Sequence, residues 1–177
     1  MNKLCIETQR ILEEPNAGGN SVVSEGLAME ILYRIYDAKN IYTEMEIEYY
    51  YDNWKKCDFI TTIKGENIGV SVTRILTPLM FNEDKLHMHI SNLLYKKLYG
   101  LVVSRAGTLD ECVFSKSILF VWSPNRVSTR IIKLLFNHCI DKSLKEDVKL
   151  IVAETNESKL RNDFSPIEKR YMFTVII

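Results

Sequence analysis

The sequence predicts an α/β (α+β) domain of three layers, whose mixed central sheet combines an antiparallel meander with a parallel β-α-β crossover. Three observations carry this. Ile41 to Tyr51 alternates apolar and acidic side chains, the period of a strand buried on one face. Two further strand-like runs follow through short polar connections, which make neighbours antiparallel. From Asn82 onward, helical and strand periodicities alternate, the pattern of parallel crossovers.

Taken in order, residues 1–14 can form a short helix, and Glu14 to Asn20 is a loop by its Pro, Gly and Asn content. Asn20 or Ser21 can cap the next helix, where Val23, Leu27, Ile31 and Ile35 recur every four residues as one buried stripe. Glu25 falls in its first turn, where the helix dipole favours negative charge. The first strand places Ile41, Met45, Ile47, Tyr49 and Tyr51 on one face and Glu44, Glu46 and Glu48 on the other. A second strand spans Cys57 to Ile63, Lys64-Gly65-Glu66-Asn67 is a turn, and a third strand spans Ile68 to Ile75. Pro78 closes that segment. Asn82-Glu83-Asp84 is a cap with an acidic first turn, opening a helix that carries Leu86, Ile90, Leu93, Leu94 and Leu98 and reaches Tyr99. Ser117 to Trp122 is a strand, apolar at every position from Ile118 and therefore covered on both faces. Ser123-Pro124-Asn125 opens a helix whose stripe is Ile131, Leu134, Leu135 and His138 or Cys139. Val148 to Ala153 is the next strand, reached by a crossover expected to be right-handed. Met172 to Ile177 is a candidate edge strand.

A chain of 177 residues fits one domain, with residues 1–20 an N-terminal extension, 20–155 the core and 156–177 a C-terminal extension. Such a chain buries roughly two-thirds of its surface, enough for a real core. No apolar run is long enough for a bilayer, and MNKLCIETQR lacks the apolar segment of a secretory signal, so an intracellular protein without a membrane partner is expected. Cys5, Cys57, Cys112 and Cys139 form no C-x-x-C pair, which favours reduced thiols over disulfides or zinc. Residues 1–84 hold 8 basic and 14 acidic side chains, and residues 85–177 hold 15 and 9. Opposite halves of this kind either attract each other or give the later half a basic face.

The chemistry-bearing pattern starts at Asp58, early in the second strand, between Cys57 and Phe59 and so on the opposite sheet face from both. Thirteen residues on, Ser71 and Thr73 share one face of the third strand while Val72 points away. With Glu25 on the first long helix and the order helix, three-strand meander, helix, strand, this resembles the PD-(D/E)XK nuclease superfamily over residues 20–155. The resemblance implies a restriction-endonuclease-like core. It also implies an Asp on the second strand, an acidic-x-Lys triplet on the third, and often a Glu on the first helix. Carboxylates converging from adjacent strands suit Mg²⁺, which needs hard oxygen ligands, and the Lys orients or activates the attacking water. Asp58 and Glu25 would be the metal ligands.

The sequence departs from that pattern at two positions. Ser71 in place of the acid loses a metal ligand, and Thr73 in place of Lys loses the cation. Three readings stay open. The lineage kept binding and lost catalysis; a neighbour substitutes, with Arg74, Lys85 or a Glu of the first strand as candidates; or the topology is shared by accident. What the resemblance implies is a nuclease-like protein that binds or processes DNA or RNA with impaired metal-dependent catalysis, using Mg²⁺ only if active. The alternative is a catalytically inactive protein-interaction module on the same fold. Lys85, Lys96 and Lys97 are candidate contacts to a phosphate backbone. Each residue also has a plainer reading: Asp58 paired with Lys55 or Lys56, Glu25 compensating the helix dipole, and the lysines on a solvated helix face. Oligomeric state is not encoded in any of these features.

Other features lead elsewhere. His87 and His89 diverge by about 200° on a helix and cannot easily share a metal. Ala17-Gly18-Gly19-Asn20-Ser21 lacks the spacing and the Lys of a phosphate-binding loop. Tyr49, Tyr50 and Tyr51 lie near Trp54; exposed aromatics stack on unpaired bases, but only Tyr50 is expected to point outward. No Ser-His-Asp arrangement is present, and neither Cys57 nor Cys112 has a His nearby in sequence.

Overall fold

The computed structural model describes residues 4–14, 21–76, 82–155 and 174–176. The chain is α+β. Helix α1 (Ile6–Glu13) and helix α2 (Val22–Tyr36) precede strands β1 (Lys39–Thr43), β2 (Phe59–Ile63) and β3 (Glu66–Arg74). Helix α3 (Glu83–Gly107), strand β4 (Lys116–Ser123), helix α4 (Arg126–Leu134), the short helix α5 (Lys142–Lys145), strand β5 (Val148–Glu154) and strand β6 (Thr174–Ile176) follow. The strands form one mixed sheet in chain order, β1 to β6. β1, β2 and β3 are the antiparallel meander, β3, β4 and β5 run parallel, and β6 returns antiparallel on β5.

The sheet is covered on both faces, which is why β4 reads as a continuous apolar run. Ile118, Phe120 and Trp122 face α2, with Phe59, Val70 and Val72 from the meander. Leu119 and Val121 face α3 and α4, meeting Ile90, Leu94, Leu98, Leu101 and Ile132. The β2–β3 turn is two residues, Lys64 at φ 54° and Gly65 at φ 81°, the left-handed pair that closes a tight hairpin. It fixes Phe59 opposite Val70 and Ile63 opposite Glu66. Trp122 ties the layers together: its indole N–H donates to the Ser24 carbonyl at 3.1 Å, holding the first turn of α2 at the C-terminal end of β4.

Several elements differ from expectation. The first strand does not run to Tyr51 but ends at Thr43. The Glu46 carboxylate takes the Thr43 N–H at 2.8 Å and is itself held by Arg10 of α1 at 2.7 Å, so a local turn replaces the ladder. The chain beyond it pairs with the end of α3 instead: Tyr50 N–H donates to Gly107 O, and Leu109 N–H to Glu48 O. Met45 and Tyr51, expected inside, are therefore exposed. α3 runs past Tyr99 to Gly107, because Gly100 sits where no neighbour approaches and is tolerated in the helix. Ile35 is exposed at the end of the α2 stripe, and His138, Cys139 and Leu134 are exposed because the turn after α4 widens into a π-helical stretch over Leu135–Cys139. The loop expected over residues 15–20, Pro78, and Met172 lie outside the described residues. No helix among the described residues is long and apolar enough to cross a membrane.

Candidate functional site

Asp58 is fixed before any partner meets its carboxylate. The Cys57 N–H donates to the Tyr49 hydroxyl at 3.1 Å and to Ser104 Oγ at 3.2 Å, and those two hydroxyls lie 2.8 Å apart. The Asp58 N–H donates to Val70 O at 2.9 Å. Hairpin register then sets the Asp58 side chain beside Ser71. Asp58 Oδ2 accepts from Ser71 Oγ at 3.0 Å, from the Val72 N–H, and from the Lys97 ammonium at 3.2 Å. Lys97 Nζ also reaches Ser71 Oγ at 3.3 Å. The ion pair is sheltered, with side-chain exposures of 26% for Lys97 and 19% for Asp58. Ser71 is only 4% exposed, so it orders the pair rather than meeting a substrate.

Two more carboxylates feel this pair. Burial pushes Glu25, in the first turn of α2, up to about 7; repulsion from Asp58 and Glu44 adds to this, and a Ser21 hydrogen bond and Lys97 oppose it. Glu44, in the turn after β1, is raised by burial and then by Asp58, with Lys56 and Lys97 opposing. Glu25 of α2, Glu44 of the turn after β1, Asp58 just before β2 and Lys97 of α3 thus share one electrostatic site. A perturbed carboxyl in such a cluster is a common mark of a functional site.

The other expected residues distribute as follows. Thr73 is nearly buried, on the same strand face as Ser71. Arg74 ends β3 and is half-buried. Lys85 is exposed in the first turn of α3, about 18 Å along the helix from Lys97 at 1.5 Å per residue. Lys96 is exposed, turned about 100° from Lys97. The plain reading of Asp58, a pair with Lys55 or Lys56, is replaced by Lys97: Lys55 and Lys56 are exposed on their loop, while Lys97 borders the buried stripe of α3 and reaches Asp58. His87 and His89 both lie on α3, as expected. Glu44 is one of the first-strand glutamates expected as a substitute acid, whereas the pairing of Lys97 with Asp58 was missed in sequence, where Lys97 is a candidate phosphate contact. The one available signal was the position of Lys97 three residues after Leu94, on the flank of the apolar stripe that faces the sheet.

A divalent cation would need oxygen ligands from Asp58, Glu25 and Glu44. Among the described residues, no three acidic, His or Cys side chains are grouped to hold a metal. Asp58 Oδ2 already takes three donors, one of them an ammonium. The residues as arranged do not fit a divalent ion; the positive charge bonded to Asp58 is the Lys97 ammonium.

No family model and no solved structure matches the chain. Over 129 residues it is 40% identical to the AAC-rich mRNA clone AAC4 protein of Dictyostelium discoideum, covering 70% of this chain. The chain spans 19% of the length of that relative.

Proposed function

We propose that the chain is a nuclease-like protein of the PD-(D/E)XK type that binds nucleic acid and is impaired in metal-dependent phosphodiester cleavage. The observation that carries this is the meeting of Asp58, Ser71 and Lys97, with Glu25 and Glu44 close enough to repel Asp58. The element order helix, meander, helix, strand supports the same kinship. In this reading, Lys97 supplies the cation that Thr73 cannot, and Glu44 brings a third carboxylate where Ser71 lacks one. Lys97 serves as a fixed counter-charge for Asp58, which accounts for impaired use of Mg²⁺. The competing reading, an interaction module without catalysis, draws on the same ion pair, since a neutralised Asp58 has no further partner to seek.

The test is a titration of labelled oligonucleotides, single- and double-stranded, at increasing salt with and without Mg²⁺ or Mn²⁺. Binding that weakens steeply with salt, with the strands intact afterwards, is expected. Absence of binding at low salt rejects the nucleic-acid reading, and metal-dependent cleavage rejects the impairment.

A further inference from the structure

The loop that leads into Asp58 carries an aromatic surface that the acid cluster does not use. Tyr50 and Tyr51 are 66% and 65% exposed. Tyr51 stacks on Trp54, with ring centroids 5.3 Å apart and planes at 21°. This surface is anchored rather than loose. Tyr50 N–H donates to Gly107 O at 3.0 Å, Trp54 N–H closes a tight turn on Tyr51 O at 3.0 Å, and the Trp54 indole N–H donates to Val103 O. The N–H edge of the indole packs against the end of α3, so close that a Cβ on Gly107 would stand 2.1 Å from its nitrogen. Lys55 and Lys56 follow at once, both exposed, and Asp52 is the acid within the turn. The Lys56 ammonium lies over the Tyr49 ring, 5.8 Å from its centroid, and its charge opposes the raising of Glu44. At most about 14 Å of extended chain separates Trp54 from Asp58.

We propose that this loop is a base-stacking platform, and that the site it feeds takes an unpaired nucleic-acid strand rather than a duplex. This rests on the nucleic-acid reading above and names its substrate class. Two exposed rings, one already stacked on an indole and all three held by backbone bonds, present π-faces at little cost in ordering. Bases in a duplex are stacked on each other and cannot reach such faces, whereas unpaired bases can. Lys55 and Lys56 supply phosphate contacts beside the rings. Two lysines and a chain of zero net charge are a weak basis for holding a duplex by charge alone. The sugar does not enter this chemistry, so DNA and RNA single strands are both candidates.

The experiment compares a short oligothymidylate, its ribo-uridylate counterpart and a duplex of equal length by fluorescence anisotropy, while following intrinsic tryptophan emission. Trp122 is fully buried, so quenching by a strand reports Trp54. The expected result is single-strand binding at least about tenfold tighter than duplex binding, with quenching that Trp54→Phe removes. The Tyr50→Ala/Tyr51→Ala variant, which touches no core residue, should lose about tenfold or more of the single-strand affinity, and Lys55→Glu/Lys56→Glu should flatten the salt dependence. Comparable binding of the deoxy and ribo strands is expected, and strong discrimination between them would mean that the sugar rather than the base face is read, against the platform. Equal binding of duplex and single strand, or tyrosine variants that bind like the parent, overturns the platform while leaving nucleic-acid binding in place. Absence of binding to every oligonucleotide overturns both and leaves a protein partner as the occupant of the aromatic surface.

Discussion

Asp58 and Lys97 lie 39 positions apart in the chain and meet through a bond of 3.2 Å. That Asp58 stands beside Ser71 follows from the two-residue turn at Lys64-Gly65, which dictates which residues of β2 and β3 face each other; in sequence the turn reads as Lys64 to Asn67, and Ser71 is reached only through the spacing of the nuclease pattern. That Lys97 joins them is not legible in the sequence, since the rotation of α3 against the sheet is set by how Leu94, Leu98 and Leu101 pack. Removing one partner leaves the other partly buried and uncompensated, so Lys97→Met should destabilise the fold by about 1–3 kcal/mol in urea denaturation. The double variant Lys97→Met/Asp58→Asn should recover much of that loss; additive losses instead would mean the pair is not energetically coupled. Glu25 gives a pH-dependent prediction. Its carboxyl ionises near 7 in the fold against 4.5 as a free side chain, so the folded state holds a proton that the unfolded chain releases. Its contribution to stability is therefore favourable at low pH and is lost as pH rises from about 4.5 through about 7. Glu25→Gln should stabilise the protein by roughly 1–3 kcal/mol at about pH 8 and leave it unchanged below about pH 4, as read from paired denaturation curves. A stabilisation of equal size at both ends of the range would contradict this assignment.

At the scale of elements, the informative failure is the first strand. The alternation over Ile41 to Tyr51 is real, but period-two patterning cannot register that Glu46 will turn back to cap Thr43 under the hold of Arg10. The same residues that look like the polar face of a strand instead form a turn and deliver Glu44 to the acid cluster and the tyrosines to the surface. In α3, the apolar stripe made the helix legible, while its length was hidden by Gly100, a residue that reads as a stop. The two glycines of α3 separate by their surroundings. Gly100 has open space around it, so Gly100→Ala should raise stability by about 0.5–1 kcal/mol. Gly107 lies under Trp54, so Gly107→Ala should cost about 1–3 kcal/mol and shift tryptophan emission toward that of a solvated indole. Thermal or urea denaturation of the two variants in parallel checks both signs.

For the whole molecule, the order of elements and the two-sided burial of the sheet were open to sequence reading, because apolar periodicity and turn chemistry record both. The unequal charge of the two halves also acquires a location: Lys97 from the basic half closes on Asp58 from the acidic half, at the site itself. Less legible was the consequence for metal chemistry, since counting motif positions registers a lost ligand and a lost lysine but not an ammonium arriving from another helix. Under the proposed kinship, a fixed side-chain charge takes the place of a divalent ion. Calorimetric titration of Mn²⁺ into the intact protein and into Lys97→Met, near neutral pH, tests it directly. The intact protein should give no binding heat, and the variant, left with Glu25, Glu44 and Asp58 uncompensated, should bind the ion and release a proton as it does so. Saturable Mn²⁺ binding by the intact protein, or none by the variant while it remains folded, would contradict it.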